Sequence, residues 1–194
     1  MKPLTRADLY SLEKYAEIRA EFRARVMAHK QHRRLALGEH AALYFEDALT
    51  MQYQVQEMLR LERMFEPERI QDELDVYNPL IPDGHNWKAT FMVEYSDADQ
   101  RRAMLARLVG IEDTVWLRVQ GHEKVFPFAN EDLGRSTPDK TASVHFMRFE
   151  LTPAMVGAVK AGVGIEAGIE HPEYRVGIEV PENVRVSLTD DLGS

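Results

Sequence analysis

Four side chains stand out by type and position: Glu46, Glu57, Glu62 and His145. Carboxylate and imidazole donors of this kind suit iron, manganese or zinc, or proton transfer between an acid and a ring nitrogen. On these grounds Glu57, Glu62 and His145 are the catalytic candidates, and Glu46, Glu62 and His145 the metal-ligand candidates. Glu62 carries the sharpest constraint. When Asp47 to Phe65 is drawn as a helix, it falls inside an apolar stripe of Ala48, Met51, Val55, Met58, Leu59 and Phe65. An ionised carboxylate there needs a cation, a hydrogen-bond donor or a metal, or else takes up a proton. A salt bridge to an arginine at the core edge, or escape to solvent from the last helical turn, meets the same need without chemistry. Glu46 comes just before this helix and reaches Gln52 or Glu62 only if the chain turns back tightly. His145 shares a strand face with Met147, Phe149 and Leu151, where a hydrogen-bonded core histidine is a plainer reading than a ligand.

The remaining histidines give weaker patterns. His29 and His32 are three apart on one helix, with His40 beyond, but Lys30, Arg33 and Arg34 among them repel a dication. His85, His122 and His171 fall in expected turns. The Asp47 to Phe65 helix also carries Gln52, Gln56, Glu57 and Arg60, an unusual set of hydrogen-bonding groups for an element with a clear core face. There is no glycine-rich phosphate loop, dinucleotide fingerprint, nucleophile elbow or zincin histidine pair, so the common motif-bearing enzyme classes are disfavoured. The chain has no cysteine, which excludes disulfides, thiol nucleophiles and cysteine-held metal clusters. Any redox role must borrow its redox centre.

A formal net charge of -8 argues against duplex nucleic acid or an anionic membrane as partner, since both attract basic surfaces. The one dense basic stretch, Arg23 to Arg34, reads as a solvated helix face. The first residues turn charged at once, and no run approaches the ~20 apolar residues of a membrane span. The expectation is a cytoplasmic protein of one domain over its 194 residues, with Gly193-Ser194 set aside as a cloning remnant. The oligomeric state, homo-oligomers included, stays open, as does any cofactor.

The elements that must position these residues follow from periodicity and punctuation. Tyr15, Ile18, Phe22, Val26 and His29 recur at helical spacing between Ser11 and His32, after a short turn whose Thr5 and Asp8 are spaced as a capping box. Gly38 divides two short apolar runs into a hairpin, and Asp47 caps the next helix, which Pro67 ends. Trp87, Ala89, Phe91, Val93 and Tyr95 alternate as one buried strand face. Ser96, Asp99 and Gly110 bracket a helix, and two strands follow at Thr114 to Gln120 and Glu123 to Phe128, with Pro127 pushing the second to an edge. Thr141 to Leu151 is apolar on both faces and so lies inside the sheet. Thr152, Pro153 and Gly162 bracket a short helix, and a hairpin turns at His171-Pro172. The tail from Pro181 fits helix and strand alike. Hairpins outnumber βαβ units, so the fold class is α+β: a mainly antiparallel sheet of hairpins with helices packed on it.

Several stretches carry a resemblance. Arg33-Arg34-Leu35-Ala36-Leu37-Gly38, Leu43-Tyr44-Phe45-Glu46-Asp47, Tyr53-Gln54-Val55-Gln56-Glu57-Met58-Leu59-Arg60, Tyr77-Asn78-Pro79-Leu80-Ile81-Pro82, Ala89-Thr90-Phe91-Met92-Val93-Glu94 and Val144-His145-Phe146-Met147-Arg148-Phe149-Glu150 resemble a bacterial family catalogued as domain of unknown function 3501. The resemblance covers most of the chain. It implies no assigned activity, cofactor or catalytic residue, but it does imply genomic association with rubrerythrin-like and iron–sulfur oxidoreductase proteins. Within its motifs Glu46, Gln56, Glu57, Arg60, Asn78, His145 and Arg148 are the polar positions of interest.

Three functional expectations result. The first is an accessory protein that docks on a redox enzyme, drawn from the resemblance and from the lack of catalytic motifs. The second is a small metal-binding protein or enzyme that uses Glu46, Glu57, Glu62 and His145. The third is a sensor that holds a small ligand between sheet and helices, which requires a pocket of a few hundred cubic ångströms, on the order of known ligand sites.

Overall fold

The computed structural model describes residues 2–193, so Ser194, one of the two residues set aside as a cloning remnant, lies outside them. Ser11 accepts a hydrogen bond from the Lys14 backbone N–H and starts α1 (Leu12–Gln31), whose Tyr15, Phe22 and Val26 form its buried stripe. The chain then reverses through Gly38, at φ 78, between β1 (Arg34–Ala36) and β2 (Ala41–Glu46). Asp47 caps α2 (Ala48–Glu62) as expected, but the helix ends sooner than Phe65 because Arg63 turns left-handed at φ 51. Phe65 therefore leaves the apolar stripe and stands exposed.

Pro67 does more than end α2. It opens α3 (Pro67–Tyr77), an element the sequence reading passed over, since proline at a first helical position gives up no hydrogen bond. Ile70, Leu74 and Tyr77 then pack with Val55, Leu59 and Met64 in a small helical core.

The remaining elements are β3 (Asn86–Val93), α4 (Ala98–Arg107), β4 (Val115–Val119), β5 (Phe128–Ala129), β6 (Val144–Glu150), α5 (Pro153–Lys160), β7 (Ile165–His171), β8 (Tyr174–Glu179) and α6 (Glu182–Thr189). The cap of α4 is Asp97, which accepts from the Gln100 N–H, and not Ser96. The tail from Pro181 resolves as helix. Its Val184 and Leu188 face the core one turn apart.

All pairing is antiparallel, in two sheets: β1-β2-β3-β6-β5 and β4-β7-β8. The α+β class holds, with two sheets in place of one. The strand expected over Glu123 to Phe128 is divided between them. Val125 exchanges two backbone hydrogen bonds with Leu117 of the small sheet, at 2.9 and 2.7 Å. Beyond Pro127 the chain crosses over, and Phe128–Ala129 becomes the edge strand of the large sheet, where a neighbouring proline leaves no ladder bond unmade.

Strand parity divides the large sheet into two functional faces. Leu43, Phe91 and His145 lie in register on one face, which closes the main core with Leu117, Val119, Ile165 and Ala167 of the small sheet and with α5 and α6. Tyr44, Thr90 and Phe146 lie in register on the other, as do Ala42, Met92 and Val144. That outer face is roofed by α1, α2 and the end of α3.

Roof and sheet are joined by Arg33, which is buried at 2% exposure and so departs from the solvated basic face expected of Arg23 to Arg34. Its guanidinium donates to the Phe45 and Glu46 carbonyls, each at 3.0 Å, and to Asp191 at 2.5 Å, with Asp47 at 3.4 Å. Gly193 also takes part in the structure, because its N–H donates to the Gly84 carbonyl at 2.9 Å. No helix among the described residues is long and apolar enough to cross a membrane.

Candidate functional site

Between the outer face of the large sheet and its helical roof lies a cleft of about 810 Å³. Its floor is Tyr44, Glu46, Thr90, Met92, Val144 and Phe146, the even-numbered positions that parity turns away from the main core. The roof is Met27, Lys30 and Gln31 of α1, Met51 and Gln54 of α2, and Tyr77 and Leu80 beyond them. Three methionines supply a soft, polarisable lining that adapts its shape to what it holds.

Glu46 is the buried acid of this cleft, at 8% exposure. Thr90 donates its hydroxyl to one carboxylate oxygen and Thr50 to the other, both at 2.7 Å. At the mouth, Arg34 donates to the Tyr44 hydroxyl at 3.0 Å, and Tyr44 donates to Glu94 at 2.6 Å. Lys30 lies 5.8 Å from the centre of the Tyr53 ring. The cleft thus combines an apolar interior, one carboxylate at its base and cations near its entrance.

The other residues singled out in the sequence are not gathered around this cleft. Glu57 lies between α1 and α2, where Tyr15 donates to it at 2.7 Å, Arg19 at 2.8 and 2.9 Å, and Arg60 at 3.1 Å. These donors, Arg19 foremost, hold its carboxyl down to about 2, and the same carboxylate, after burial, helps push the Tyr15 hydroxyl up. Glu62 is solvent-facing, 3.6 Å from Arg69, because the early end of α2 releases it from the apolar stripe. Gln56 is fully buried and grips the backbone of Tyr10 through both ends of its amide, at 2.6 and 3.3 Å. Asn78 does the same to Leu4, at 2.8 and 2.9 Å. These two amides latch the N-terminal segment across α2 and α3. Arg148 forks onto Glu131 at 2.8 and 2.7 Å and stacks on Phe128.

His145 faces the main core, on the opposite side of the sheet from Glu46, and has no exposure. One ring nitrogen lies 2.9 Å from both the Thr141 hydroxyl and the Ala142 carbonyl, and the other lies 3.0 Å from the Asn130 amide nitrogen. Thr141 in turn donates to the buried Glu112 at 3.0 Å, and Ser136 donates to the same carboxylate. Burial holds His145 below the ordinary imidazole value although Glu112 is 3.9 Å away, so near neutral pH it is an uncharged ring. With a donor on one nitrogen and an acceptor on the other, the network ties the loop before β6 to the core.

His29 pairs with Asp47 at 2.5 Å, His32 lies 3.3 Å from Asn183, and His40 stacks on Tyr95, so the three do not share a site. Among the described residues no three histidine, aspartate or glutamate side chains converge as a metal site would require.

Of the sequence candidates, only Glu46 lines the cleft. The rest of its lining went unread because Thr90 and Met92 pass for the polar half of an alternating strand. The available signal was the double-faced apolarity of the strand through Val144, Phe146, Met147 and Phe149. A second covered face on one strand requires a second layer over its neighbours.

These features define an α+β protein of two antiparallel sheets with a ligand-sized cleft under a helical roof. The chain belongs to the family described as "Protein of unknown function (DUF3501)", whose model matches residues 3–192. It is similar to a solved structure, described as a novel protein of unknown function from Burkholderia pseudomallei K96243. That protein is 49% identical and superposes with a TM-score of 0.94, over 99% of this chain and 100% of the other. A comparison with curated proteins finds no match.

Proposed function

We propose that this protein binds a small, largely apolar organic molecule in the cleft beneath α1, α2 and α3, and that the sensor reading describes its role. The observation that carries the proposal is the cleft itself. At about 810 Å³ it falls within the usual range of ligand sites. Methionine, valine, leucine and aromatic side chains form its apolar surface, and Lys30, Gln31, Arg34, Glu46, Gln54 and Thr90 add polar groups able to fix a ligand's orientation. The roof is tied to the sheet by Arg33 and to the N-terminal segment by Gln56 and Asn78, so a ligand wedged between roof and floor acts on both layers.

The redox partner implied by the family resemblance enters this reading as the protein that responds to the liganded form. Crosslinked pull-downs from native lysate, with and without ligand, are the measurement that seeks it.

The direct test is a fragment screen by thermal shift and calorimetry on the wild type and on Met92→Trp. The larger side chain on the cleft floor fills the space while suiting a strand. Fragments that bind the wild type are expected to lose at least tenfold in affinity for the folded variant. Equal affinity for both proteins, or no binding fragment at all, contradicts the proposal.

A further inference from the structure

Resting on the cleft as a ligand site, we infer that its ligand presents a cationic N–H group, an ammonium or amidinium on an aromatic or branched aliphatic body, to the Glu46 carboxylate. The Glu46 carboxylate has acceptor positions that no group of the protein fills with a charge. An ionised carboxylate offers about four lone-pair sites for hydrogen bonds. At Glu46 the Thr90 and Thr50 hydroxyls fill one on each oxygen, both at 2.7 Å, and both donors are neutral.

Of the neighbouring cations, Lys30 lies near the cleft entrance, 5.8 Å from the centre of the Tyr53 ring, and the others face other groups. Arg33 donates to the backbone carbonyl of Glu46 while its charge is set against Asp47 at 3.4 Å and Asp191 at 2.5 Å. Lys88 is the cross-strand partner of Glu46 and lines an adjoining hollow with Glu131 and Asp132. Arg34 is set against Glu94 at 3.3 Å. Among the described residues no basic nitrogen pairs with the Glu46 carboxylate.

A buried charge with only hydroxyl partners is costly unless something brings the opposite charge to it. Here the open side of the carboxylate is the cleft, and the surroundings are Met51, Met92 and Phe146, which suit an apolar body and a polarisable contact. A ligand cation desolvated among such side chains gains a charge-assisted hydrogen bond, stronger than one between neutral groups.

The test uses the full chain at neutral pH and three probes of one skeleton: phenethylamine, phenethyl alcohol and 3-phenylpropionate, each titrated calorimetrically. The amine is expected to bind at least tenfold more tightly than the alcohol or the acid. Glu46→Gln is expected to remove that preference. Should that variant not fold, Thr90→Val serves instead. It frees one carboxylate oxygen and is expected to tighten amine binding.

If the alcohol or the acid binds as tightly as the amine, or if Glu46→Gln leaves the amine affinity intact, the charge assignment is overturned while the cleft stands as a ligand site. If none of the three probes binds, the assignment is likewise overturned. If in addition the fragment screen finds nothing that Met92→Trp blocks, the ligand-site reading falls with it.

Discussion

Glu57 and Arg33 show how far a charged residue in a family-like motif can be explained by what it holds together. Glu57 receives Tyr15, Arg19 and Arg60 at the α1–α2 contact, and these donors lower its carboxyl from an ordinary 4.5 to about 2. Because the folded value is the lower one, this carboxylate stabilises the fold fully above 4.5, and its contribution disappears as pH falls towards 2. Glu57→Gln should therefore lower the melting temperature at neutral pH, and the gap to wild type should close across that acid window. A gap independent of pH would contradict the assignment. Arg33 is the opposite case, a buried cation facing two acids. Burial raises Asp191 to about 6 in spite of Arg33, so ionised Asp191 depends on that guanidinium for what compensation it has. Removing one partner of such a buried pair costs about 3–5 kcal/mol. Arg33→Met should show a loss of this order in urea unfolding at neutral pH. The loss should shrink as pH falls towards about 6 and level off below it, where Asp191 carries a proton in both proteins. A loss under about 1 kcal/mol, the scale of a surface pair, would mean that Arg33 is not the join between roof and sheet.

At the scale of elements, β4 and β7 meet at a contact that only glycine allows. Trp116, Gly168 and Gly177 lie in register across the small sheet, and the indole rests over the two glycines. A methyl group at Gly168 would come within 2.3 Å of the Val176 carbonyl oxygen and 2.5 Å of the Trp116 ring. Gly168→Ala should cost about 1–3 kcal/mol or more, as overpacking does. Gly177→Ala, whose added methyl would sit 3.7 Å from the same ring, should be milder. Comparable losses for the two would contradict this packing. The hairpins at Gly38 and His171-Pro172 were legible in the sequence, as were the helices α1, α2 and α5. Where sequence reading failed, a residue had two physical meanings. Pro67 ends one helix and starts another, and Pro127 marks a change of sheet as readily as an edge. Glu62 looked buried because the left-handed turn at Arg63 has no glycine to announce it.

Taken whole, the molecule is a packed pair of sheets with a helical roof whose small cores are separate from the main one. The cleft exists because the roof is held at its margins, by Arg33 to β2 and the C-terminal tail and by the α1–α2 clamp at Glu57, while the space above Thr90 and Met92 is left unfilled. A second covered face was legible in the strand through Val144 and Phe146, but the cleft itself was not. A cleft is set by the distance between layers, and local periodicity carries no information about that distance. The most direct measurement is methyl NMR on the protein labelled at its methionines, with the fragments that bind it added one at a time. Met27, Met51 and Met92 line the cleft, whereas Met147 and Met155 sit in the main core and Met64 in the α2–α3 core. Ligand binding in the cleft should shift the first three methyl signals and leave the last three in place. Shifts confined to Met64, Met147 and Met155, or no shift at Met27, Met51 and Met92 with any fragment that binds, would contradict a ligand site beneath the roof.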